Sequence, residues 1–269
     1  MTGSPDRRGY ALVTGGGVRL GAELVRRLAA DGWAVAIHHN RSAAQAKKLA
    51  RDIRATGGRA ITVAADLGAS DCFAGLFKQI NAELGFCSLL VNSASAFEYD
   101  DVSNVSRRNL EKLFAVNHHA PVLLARDFSR QLRKGAKGLI VNLLDQKVFN
   151  LNPDFLSYTL TKSALEAATR LLATALAPNV RVCGIAPGLT LRSGRQSEKG
   201  FKAAHAKTPL GIGSTPADIA EALSFLIKVP SITGATIIVD GGQHLQPRGH
   251  DVMFSYGIPR DAPVGKPVR

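Results

Sequence analysis

Seven apolar segments that alternate with helical patterns constrain the fold of this chain more than any other feature of its sequence. The intervening segments carry apolar residues three and four apart, as in residues 22–32, which end at a glycine as helices commonly do. Strands buried on both faces read as continuous apolar runs, and their alternation with helices indicates a parallel sheet. The sequence therefore predicts an α/β fold with one doubly wound, parallel, seven-stranded sheet and helices on both faces. The predicted strands are residues 10–14, 34–39, 60–65, 88–93, 138–144, 180–187 and 235–242.

Length and composition bound the number of domains and the location of the protein. With 269 residues, of which 45% are hydrophobic, the chain can bury the core of a single domain. It contains no run of about 18 or more apolar residues, and residues 1–10 lack the apolar middle of a signal peptide. We therefore expect a soluble, cytoplasmic protein with no membrane partner.

Charge and the metal-ligating residue types narrow the possible partners. The net charge of +13 favours anions, but the basic residues are scattered and no nucleic-acid motif accompanies them, so an anionic cofactor or substrate is preferred over nucleic acid. The three cysteines are widely spaced without a CxxC, which predicts neither a disulfide framework nor a zinc site. The histidine pairs at 38–39 and 118–119 diverge on a strand or a helix, and we expect no metal site.

Residues 1–245 are predicted to form the sheet domain, and two regions depart from its rhythm. Residues 188–216 are polar, punctuated by glycines and placed after the sixth strand, so they are predicted to form a lid above the carboxyl edge, where ligands of such sheets bind. Residues 246–269 contain four prolines and are predicted to form an irregular C-terminal tail.

The segment TGGGVRLG, residues 14–21, joins the first predicted strand to the first predicted helix. In this context a glycine turn is typical of dinucleotide sites, because the free N–H groups of the helix start face a pyrophosphate. Arg19 stands where the usual fingerprint has a glycine, and its guanidinium can contact the phosphates. A plain structural turn is the alternative. The predicted cofactor contacts here are Gly15, Val18, Arg19 and Leu20.

The end of the second strand predicts which dinucleotide is bound. An NAD site would place an acidic residue about 20 residues beyond the first glycine, and this chain has HHNRS instead. Donors at this place suit a 2′-phosphate, which predicts NADPH; the alternative is that Arg41 is a solvated surface residue. The donors are His39, Asn40, Arg41 and Ser42, and the ADL segment adds Asp66 and Leu67 around the adenine, with Asp66 accepting from its amino group.

The segment YTLTK places Tyr158 and Lys162 on one face of a predicted long helix, because they are four residues apart. A nearby ammonium favours a phenolate, so we expect Lys162 to lower the pKa of Tyr158 and to ease its proton transfer near neutral pH. By itself such a pair occurs by chance in many helices. Its position after the glycine turn, with VNSAS between them and IAPG behind it, makes it a specific signal.

These motifs together resemble the short-chain dehydrogenase/reductase family over about residues 8–245. The resemblance implies a Rossmann-like sheet of seven strands, a homotetramer, Tyr158 as general acid and Lys162 on the nicotinamide ribose. It also implies that Asn117 holds a water of the proton relay. Further cofactor contacts implied by the resemblance are Asn92, Ser93, Ala94, Pro187, Gly188 and Leu189.

One departure from the family pattern concerns the reacting group. The family has a serine about a dozen residues before the tyrosine, and this chain has Asp145. An ionised carboxylate only accepts hydrogen bonds and would repel a developing alkoxide, whereas it suits a nitrogen heterocycle with N–H and amino groups. The alternative is that Asp145 merely caps the following segment.

Arg19, the segment HHNRSAAQA and Asp145 together resemble the pteridine reductase branch, which includes dihydromonapterin reductases. The branch implies that Phe97 stacks on the pterin, that Ser95 contacts pterin and phosphate, and that Arg19, Asp145 and Tyr158 also contact the substrate. The predicted function is NADPH-dependent reduction of a 7,8-dihydropterin, such as dihydromonapterin or dihydrobiopterin, to its tetrahydro form.

Two alternatives stay open: a ketone reductase acting on a 3-oxoacyl thioester or a sugar, and a non-catalytic NADPH-binding sensor or scaffold. Two regions offer further candidate contacts with the substrate or the pocket. Arg192 and Arg195 of the lid are candidate substrate contacts. Phe254 and Tyr256 of the tail could pack over the active site of a neighbouring subunit, and a disordered tail is the other possibility.

Overall fold

The computed structural model describes residues 9–192 and 196–256, and its centre is a seven-stranded sheet. The strand order is β3-β2-β1-β4-β5-β6-β7, and each neighbouring pair is parallel, which confirms the predicted fold. The strands are β1 Tyr10–Thr14, β2 Ala34–His39, β3 Ala60–Ala64, β4 Cys87–Asn92, β5 Gly138–Leu143, β6 Val180–Pro187 and β7 Thr236–Val239. The helices are α1 Arg19–Ala30, α2 Ala43–Ala55, α3 Ala74–Leu84, α4 Arg107–Phe114, α5 Ala120–Gln131, α6 Leu156–Leu176, α7 Glu198–Ala206 and α8 Pro216–Lys228.

The predicted strand ends were wrong by one to three residues at four strands, most clearly at the seventh. That strand ends at Val239 because the next residues form a turn around a buried carboxylate. Asp240 accepts hydrogen bonds from the backbone N–H groups of Gly242, at 2.8 Å, and His244, at 2.6 Å. A carboxylate that satisfies backbone donors in this way favours a turn over continued pairing.

Apolar side chains fill both faces of the sheet because successive strand residues point to opposite sides. Ala11 and Val13 of β1 join the core under α1, α2 and α8, whereas Tyr10 and Leu12 join the core under α3 and α5. The apolar faces of helices and strands are therefore buried against each other in a three-layer arrangement. Within the described residues no helix is long and apolar enough to span a membrane.

The sheet order places a ligand crevice at the carboxyl end of β1. The chain passes from β1 to β2 on one side and from β3 to β4 on the other, so β1 and β4 are neighbours at the point where the winding reverses. Such switch points leave a cleft between the connections at the carboxyl edge. Motifs that follow β1, β2, β4, β5 and β6 therefore meet at one place.

The predicted lid and the predicted tail both contain short helical segments. The lid segment 188–216 carries α7, which begins after Ser197, whose side chain accepts from the N–H of Gly200 at 3.0 Å. The predicted irregular tail begins without regular structure at residues 246–251, and Val252–Tyr256 then forms a short 3₁₀ turn that packs against α7. The tail beyond residue 256 and residues 193–195, with Arg195, lie outside the described residues.

Two positions of the glycine turn differ in why a glycine would suit them. Gly21 has no space for a side chain, whereas position 19 has a backbone conformation that favours glycine. A Cβ on Gly21 would lie 2.3 Å from the carbonyl oxygen of Gly15, so a side chain there would displace the turn. Arg19 has φ of +52°, in the left-handed region that glycine adopts without penalty. Arg19 therefore keeps the left-handed backbone conformation at a cost in strain. A strained residue that is not glycine indicates a functional role for its side chain.

The strain at Arg19 predicts the order of stability of two variants that both lack the guanidinium. We expect Arg19→Gly to have a free energy of unfolding about 1 kcal/mol higher than Arg19→Ala, because only glycine is unstrained at this φ. Urea unfolding of the two variants and the wild type measures the difference. Equal stability, or a more stable alanine variant, would show that the left-handed conformation carries no strain.

Candidate active site

Thr14, at the carboxyl end of β1, joins the glycine turn to the loop after β4. Its Oγ1 accepts hydrogen bonds from the backbone N–H groups of Ser93 and Ala94, both at 3.0 Å. A Cβ on Gly15 would lie 2.9 Å from the Cα of Ala94, so the two loops are in direct contact. The structure thus brings together two of the segments that were predicted to bind the cofactor.

Tyr158 lies in the first turn of α6, and the start of that helix is fixed from a distant part of the chain. Phe155 precedes the helix with φ of +55° and gives it no side-chain cap. Asp100 replaces the cap: its carboxylate accepts from the backbone N–H of Ser157 at 2.9 Å and from the Ser157 hydroxyl, and its carbonyl accepts from Leu156 N–H at 3.0 Å. The carboxylate satisfies free N–H groups of the first turn and favours the positive end of the helix dipole.

Asp145 and Tyr158 meet directly. The Tyr158 hydroxyl donates to Oδ2 of Asp145 at 2.9 Å, and Oδ1 of the same carboxyl accepts from the backbone N–H of Lys147 at 2.9 Å. Asp145 therefore caps the 3₁₀ turn Gln146–Phe149, as its alternative reading held, and also contacts the candidate general acid. The serine position of the family pattern here carries a second acid, held in hydrogen-bond contact with the phenol.

Lys162 lies one helical turn after Tyr158 and is buried. Its ammonium donates to the carbonyl of Leu143 at 2.7 Å and lies 5.7 Å from the centre of the Tyr158 ring. Burial lowers the pKa of Lys162 to about 8, against a smaller opposing effect of Asp145. The ammonium is thus anchored at the carboxyl end of β5, beside the phenol but not bonded to its oxygen.

The expectation that Lys162 lowers the pKa of Tyr158 was wrong for this structure. Burial raises the pKa of Tyr158 well above its usual range, and the carboxylate of Asp145 raises it further, both by its charge and by accepting the phenol proton. Burial also raises the pKa of Asp145, although the hydrogen bonds from Lys147 N–H and Tyr158 oppose this. Tyr158 is therefore a protonated phenol, in the state required of a proton donor.

Asn117 occupies a π-helical turn, Ala115–His119, between α4 and α5, and its side chain holds the loop after β4. Its Nδ2 donates to the carbonyl of Ala96 at 2.8 Å and to the Thr161 hydroxyl at 3.1 Å. Its Oδ1 accepts from Ala96 N–H at 2.7 Å and from the Ser95 hydroxyl at 3.3 Å. The amide has used both donors and both lone pairs, so the predicted water of the relay has no partner left on this side chain.

Phe97 stands beside Tyr158 with much of its surface uncovered. Its ring stacks on Phe155, with centroids 4.4 Å apart, and meets the Tyr158 ring edge-on at 4.7 Å. The residue is 38% exposed and is therefore not an ordinary core phenylalanine. An uncovered aromatic ring next to the acid pair suits a flat heterocycle. Phe155, which supports Phe97 from below, was missed in the sequence because an apolar residue before a helix carries no functional signal.

The residues after β2 form the candidate 2′-phosphate site. His39 is buried, and its Nδ1 has no hydrogen-bond partner within the described residues. Asn40 and Arg41 are exposed, and Ser42 precedes α2 without capping it through its side chain. A buried nitrogen without a protein partner, at the edge of exposed donors, fits the binding of a polar ligand group. The exposure of Arg41 fits both the cofactor reading and the solvated alternative.

Asp66 and Leu67 follow β3, as predicted for the adenine side of the crevice. Asp66 is exposed and accepts from Gly68 N–H at 3.0 Å, while Leu67 is buried in the core. Pro187, the last residue of β6, is buried, and Gly188 approaches Asp240 so closely that a Cβ would lie 2.7 Å from the aspartate Cβ. These segments line the carboxyl edge, and the cofactor contacts of their residues stay predictions.

Three predicted site residues make hydrogen bonds within the protein, two through their side chains and Leu189 through its backbone N–H. Asn92 is buried and its Nδ2 donates to Oδ1 of Asn142 at 2.8 Å, so its side chain is committed to the sheet interior. Leu189 donates its N–H to Gln243 at 3.1 Å. Arg19 is exposed, and its guanidinium donates to the carbonyl of Arg192 in the lid at 3.0 Å. Arg19 therefore links the glycine turn to the lid, a contact that the sequence did not indicate.

Val18 and Leu20 flank Arg19 in the same turn. Val18, in extended conformation, is the N-cap residue of α1, and its carbonyl accepts from Ala22 N–H at 3.2 Å.

Within the described residues no group of three His, Cys, Asp or Glu side chains could hold a metal ion. In the same part of the chain Cys87 and Cys183 are buried, Cys72 is exposed, and each is a free thiol.

His38 supports the glycine turn and was considered in the sequence only as a metal ligand. Its Nδ1 accepts from Gly15 N–H at 3.1 Å, its backbone carbonyl accepts from Gly16 N–H at 3.0 Å, and its Nε2 lies 3.1 Å from the carbonyl of Ala65. These contacts require the neutral ring with the proton on Nε2. Burial lowers the pKa of His38 to about 4, which keeps the ring neutral at physiological pH.

The low pKa of His38 predicts a component of acid sensitivity. Between about pH 6.5 and pH 4, His38 is protonated in the unfolded chain but stays neutral in the folded protein. The free energy of unfolding therefore falls as the pH falls through this window. The full contribution is about 3 kcal/mol for a shift of this size.

We expect His38→Gln to lower stability near pH 7 and to remove this component, so that the difference from the wild type shrinks toward pH 4.5. Urea unfolding over a pH series measures it. Because the carboxylates titrate equally in both proteins, a difference that stays constant over the window would contradict the burial of a neutral ring.

Comparison with known proteins agrees with this geometry. A family profile described as enoyl-(acyl carrier protein) reductase matches residues 17–244. Pteridine reductase 1 of Leishmania tarentolae is 33% identical over 287 residues, covering 91% of this chain and 99% of the relative. An uncharacterised oxidoreductase of Methylorubrum extorquens is 32% identical over 243 residues, covering 86% of this chain and 96% of its own.

Two solved structures are similar over most of their length. The alternative dihydrofolate reductase 1, FolM, of Brucella suis in complex with NADP has a TM-score of 0.87 at 43% identity, covering 90% of this chain and 97% of its own. The Brucella canis protein, also complexed with NADP, has a TM-score of 0.84 at 42% identity, covering 89% and 96%. The chain therefore belongs to the short-chain dehydrogenase/reductase family of oxidoreductases, within which it is similar to pteridine reductases and alternative dihydrofolate reductases.

Proposed function

We propose that this protein is an NADPH-dependent reductase of a pterin, and that it converts a 7,8-dihydropterin to the tetrahydro form. The observation that carries the proposal is the hydrogen bond between Tyr158 and Asp145 beneath the uncovered ring of Phe97. Asp145 is able to accept hydrogen bonds from the N–H groups of a heterocycle, and Tyr158 is able to donate a proton to it. The pair therefore suits a ring that must be both bound by hydrogen bonds and protonated. Similarity to pteridine reductase 1 and to the FolM structures supports the same substrate class.

The reduction adds one hydride to a ring carbon and one proton to the adjacent ring nitrogen. Bound NADPH supplies the hydride from C4 of its nicotinamide. Tyr158 holds the proton, because its raised pKa keeps the phenol neutral until a stronger base is adjacent. When Tyr158 gives up this proton, Lys162 stabilises the resulting phenolate by charge from its place beside the ring.

Asp145 acts on the substrate by accepting hydrogen bonds and by passing on a proton. A pterin presents ring N–H and amino donors on one edge, and a carboxylate accepts two of them in the geometry of a bidentate pair. A serine in this place would donate to a carbonyl oxygen instead, as an oxyanion stabiliser does. The raised pKa of Asp145 brings its protonated form closer to neutral pH, so the carboxyl is able to share the proton that Tyr158 donates.

The residues at the carboxyl end of β2 fit NADPH rather than NADH. His39, Asn40, Arg41 and Ser42 supply donors and no acidic residue, and the unpartnered Nδ1 of His39 is available to a phosphate or ribose oxygen. We expect Lys162, whose ammonium is anchored on the Leu143 carbonyl, to hold the nicotinamide ribose. We expect Arg19 to reach from the glycine turn across the phosphates toward the substrate. The NADP in both Brucella structures supports this choice.

A ketone or enoyl reductase is the second candidate, since the matching family profile is described by an enoyl-thioester activity. Asp145 disfavours it, because a carboxylate repels the negative charge that develops on a carbonyl oxygen during hydride addition. A non-catalytic NADPH sensor is disfavoured by the assembled Tyr158, Lys162 and Asp145. The homotetramer stays a prediction from the family resemblance.

An NADPH-oxidation assay with a substrate panel tests the proposal. We expect the wild type to oxidise NADPH with 7,8-dihydrobiopterin or 7,8-dihydromonapterin, more slowly with NADH in its place, and to leave 3-oxoacyl thioesters and sugars unreduced. Dihydrofolate in the panel defines whether the substituted pterin also fits. Reduction of a ketone together with none of the pterins would refute the proposal.

Variants of Asp145 separate its proposed role from that of a cap. Asp145→Ser and Asp145→Asn both keep a hydrogen-bond acceptor for Lys147 N–H, and we expect both to lose about 100-fold or more in kcat/KM for the dihydropterin. Tyr158→Phe serves as the reference for loss of the acid. Circular dichroism and NADPH binding check that each variant folds. Dihydropterin turnover retained in Asp145→Asn would remove Asp145 from the mechanism.

A further inference from the structure

Lys147, two residues after Asp145, is a buried cation that the proposed mechanism does not use. The residue is 3% exposed, and its backbone N–H is the one that holds Asp145. Its ammonium lies 5.5 Å from the centre of the Phe155 ring and donates hydrogen bonds to residues in two other parts of the chain. Because burying an ammonium is unfavourable unless it is paired, its partners identify what it is placed to hold.

The partners of Lys147 lie before α6 and in the C-terminal segment. The ammonium donates to Asn152 at 2.5 Å and forms an ion pair with Asp251 at 2.9 Å. The Asp251 side chain is only 17% exposed, its other oxygen accepts from Met253 N–H at 2.9 Å, and its own N–H donates to Asp154 at 2.6 Å. One buried cation therefore connects the segment after β5, the start of α6 and the 3₁₀ turn Val252–Tyr256, hereafter the C-terminal turn.

The C-terminal turn packs on the wall that carries the acid pair. Met253 is buried in one apolar cluster with Phe155 and Tyr158. The ring of Phe254 meets Tyr99 edge-on at 5.4 Å and lies parallel to Phe155 at 6.0 Å. Phe155 is the ring on which Phe97 stacks, so the turn supports, through one layer of aromatic rings, the surface proposed to contact the pterin.

The segment that leads into the turn is tied to the same place by a second contact. Asn150 Nδ2 donates to the backbone carbonyls of Gln243 and Gln246, at 3.3 Å and 2.9 Å. The described residues up to 256 thus pack beside the candidate active site of their own chain, and the packing of Phe254 over a neighbouring subunit stays a prediction. The side chain of Tyr256 lies outside the described residues.

We propose that Lys147 and Asp251 are a positioning pair for the substrate site: their ion pair holds the C-terminal turn against Phe155 and Tyr158, and the turn thereby sets the affinity for the substrate. Neither residue touches the reacting atoms; Lys147 acts through the turn and through the orientation of Asp145. This inference rests on the proposed function, because the surface that the turn supports is the pterin surface.

The test removes the negative charge of Asp251 next to the C-terminal turn and leaves Asp145 and Tyr158 unchanged. In Asp251→Asn the ion pair is lost, and we expect KM for 7,8-dihydrobiopterin to rise about 10-fold while kcat and the Kd of NADPH change less than about threefold. Asp251→Glu retains a carboxylate, and we expect it to restore most of the affinity. Hydrogen–deuterium exchange with NADP bound is expected to show faster exchange of residues 251–256 in Asp251→Asn.

The matched control is Asp127→Asn, which also removes a buried carboxylate from an ion pair. Asp127 pairs with Arg126 at 2.8 Å and accepts from Phe73 N–H at 2.7 Å, between α3 and α5 and away from the acid pair. We expect it to lower stability without changing KM. If Asp251→Asn does not fold, Phe254→Ala replaces it, because this variant loosens the same turn without leaving a buried ammonium unpaired, and the same rise in KM is expected.

Two results would overturn the positioning pair: faster exchange of the turn with an unchanged KM, or a turn whose exchange is unchanged when the ion pair is lost. Failure of the proposed function is seen separately. In that case the wild type reduces none of the dihydropterins, and the exchange measurement, together with KM for whichever ketone is reduced, decides the role of the turn.

Discussion

The hydrogen bond between the Tyr158 phenol and the Asp145 carboxyl is the interaction on which the site depends. Both groups are buried, and burial raises both pKa values. The Asp145 carboxylate raises the pKa of Tyr158 further, whereas the hydrogen bond from the Tyr158 hydroxyl favours the ionised form of Asp145. Such a pair keeps its geometry only if hydrogen bonds from other residues fix the position of both groups. Asp100 fixes the helix start below Tyr158, and the backbone N–H of Lys147 fixes Asp145. The pair is therefore a preorganised source of one proton, which costs little reorganisation when the substrate is reduced.

The site has two halves that are built from different parts of the chain. The glycine turn, His38 and the residues after β2 form the half that we propose binds the cofactor, and α6 with the segment after β5 forms the half that we propose binds the substrate. Thr14 joins them, since its hydroxyl holds the loop after β4 against the glycine turn. Arg19 spans both halves, reaching from a strained backbone position to the lid.

The features that the sequence predicts correctly are those that leave a pattern among neighbouring residues. Continuous apolar runs indicated the seven strands, the strand–turn–helix context gave the glycine turn its meaning, and the spacing of Tyr158 and Lys162 placed them on one face. What it misses depends on distant contacts. Asp100 caps a helix that starts 56 residues later, counting to Leu156, and His38 acts by accepting from a turn 23 residues earlier. Neither contact leaves a local signature, and pKa directions follow burial, which spacing does not report.

A structure of the protein with NADP and a dihydropterin tests the central claim most directly. The account predicts that the pterin ring lies between Phe97 and the nicotinamide, with its N–H and amino groups within hydrogen-bond distance of Asp145 and a ring nitrogen facing the Tyr158 hydroxyl. A pterin bound elsewhere, or bound in the crevice with Asp145 making no contact to it, would contradict the account.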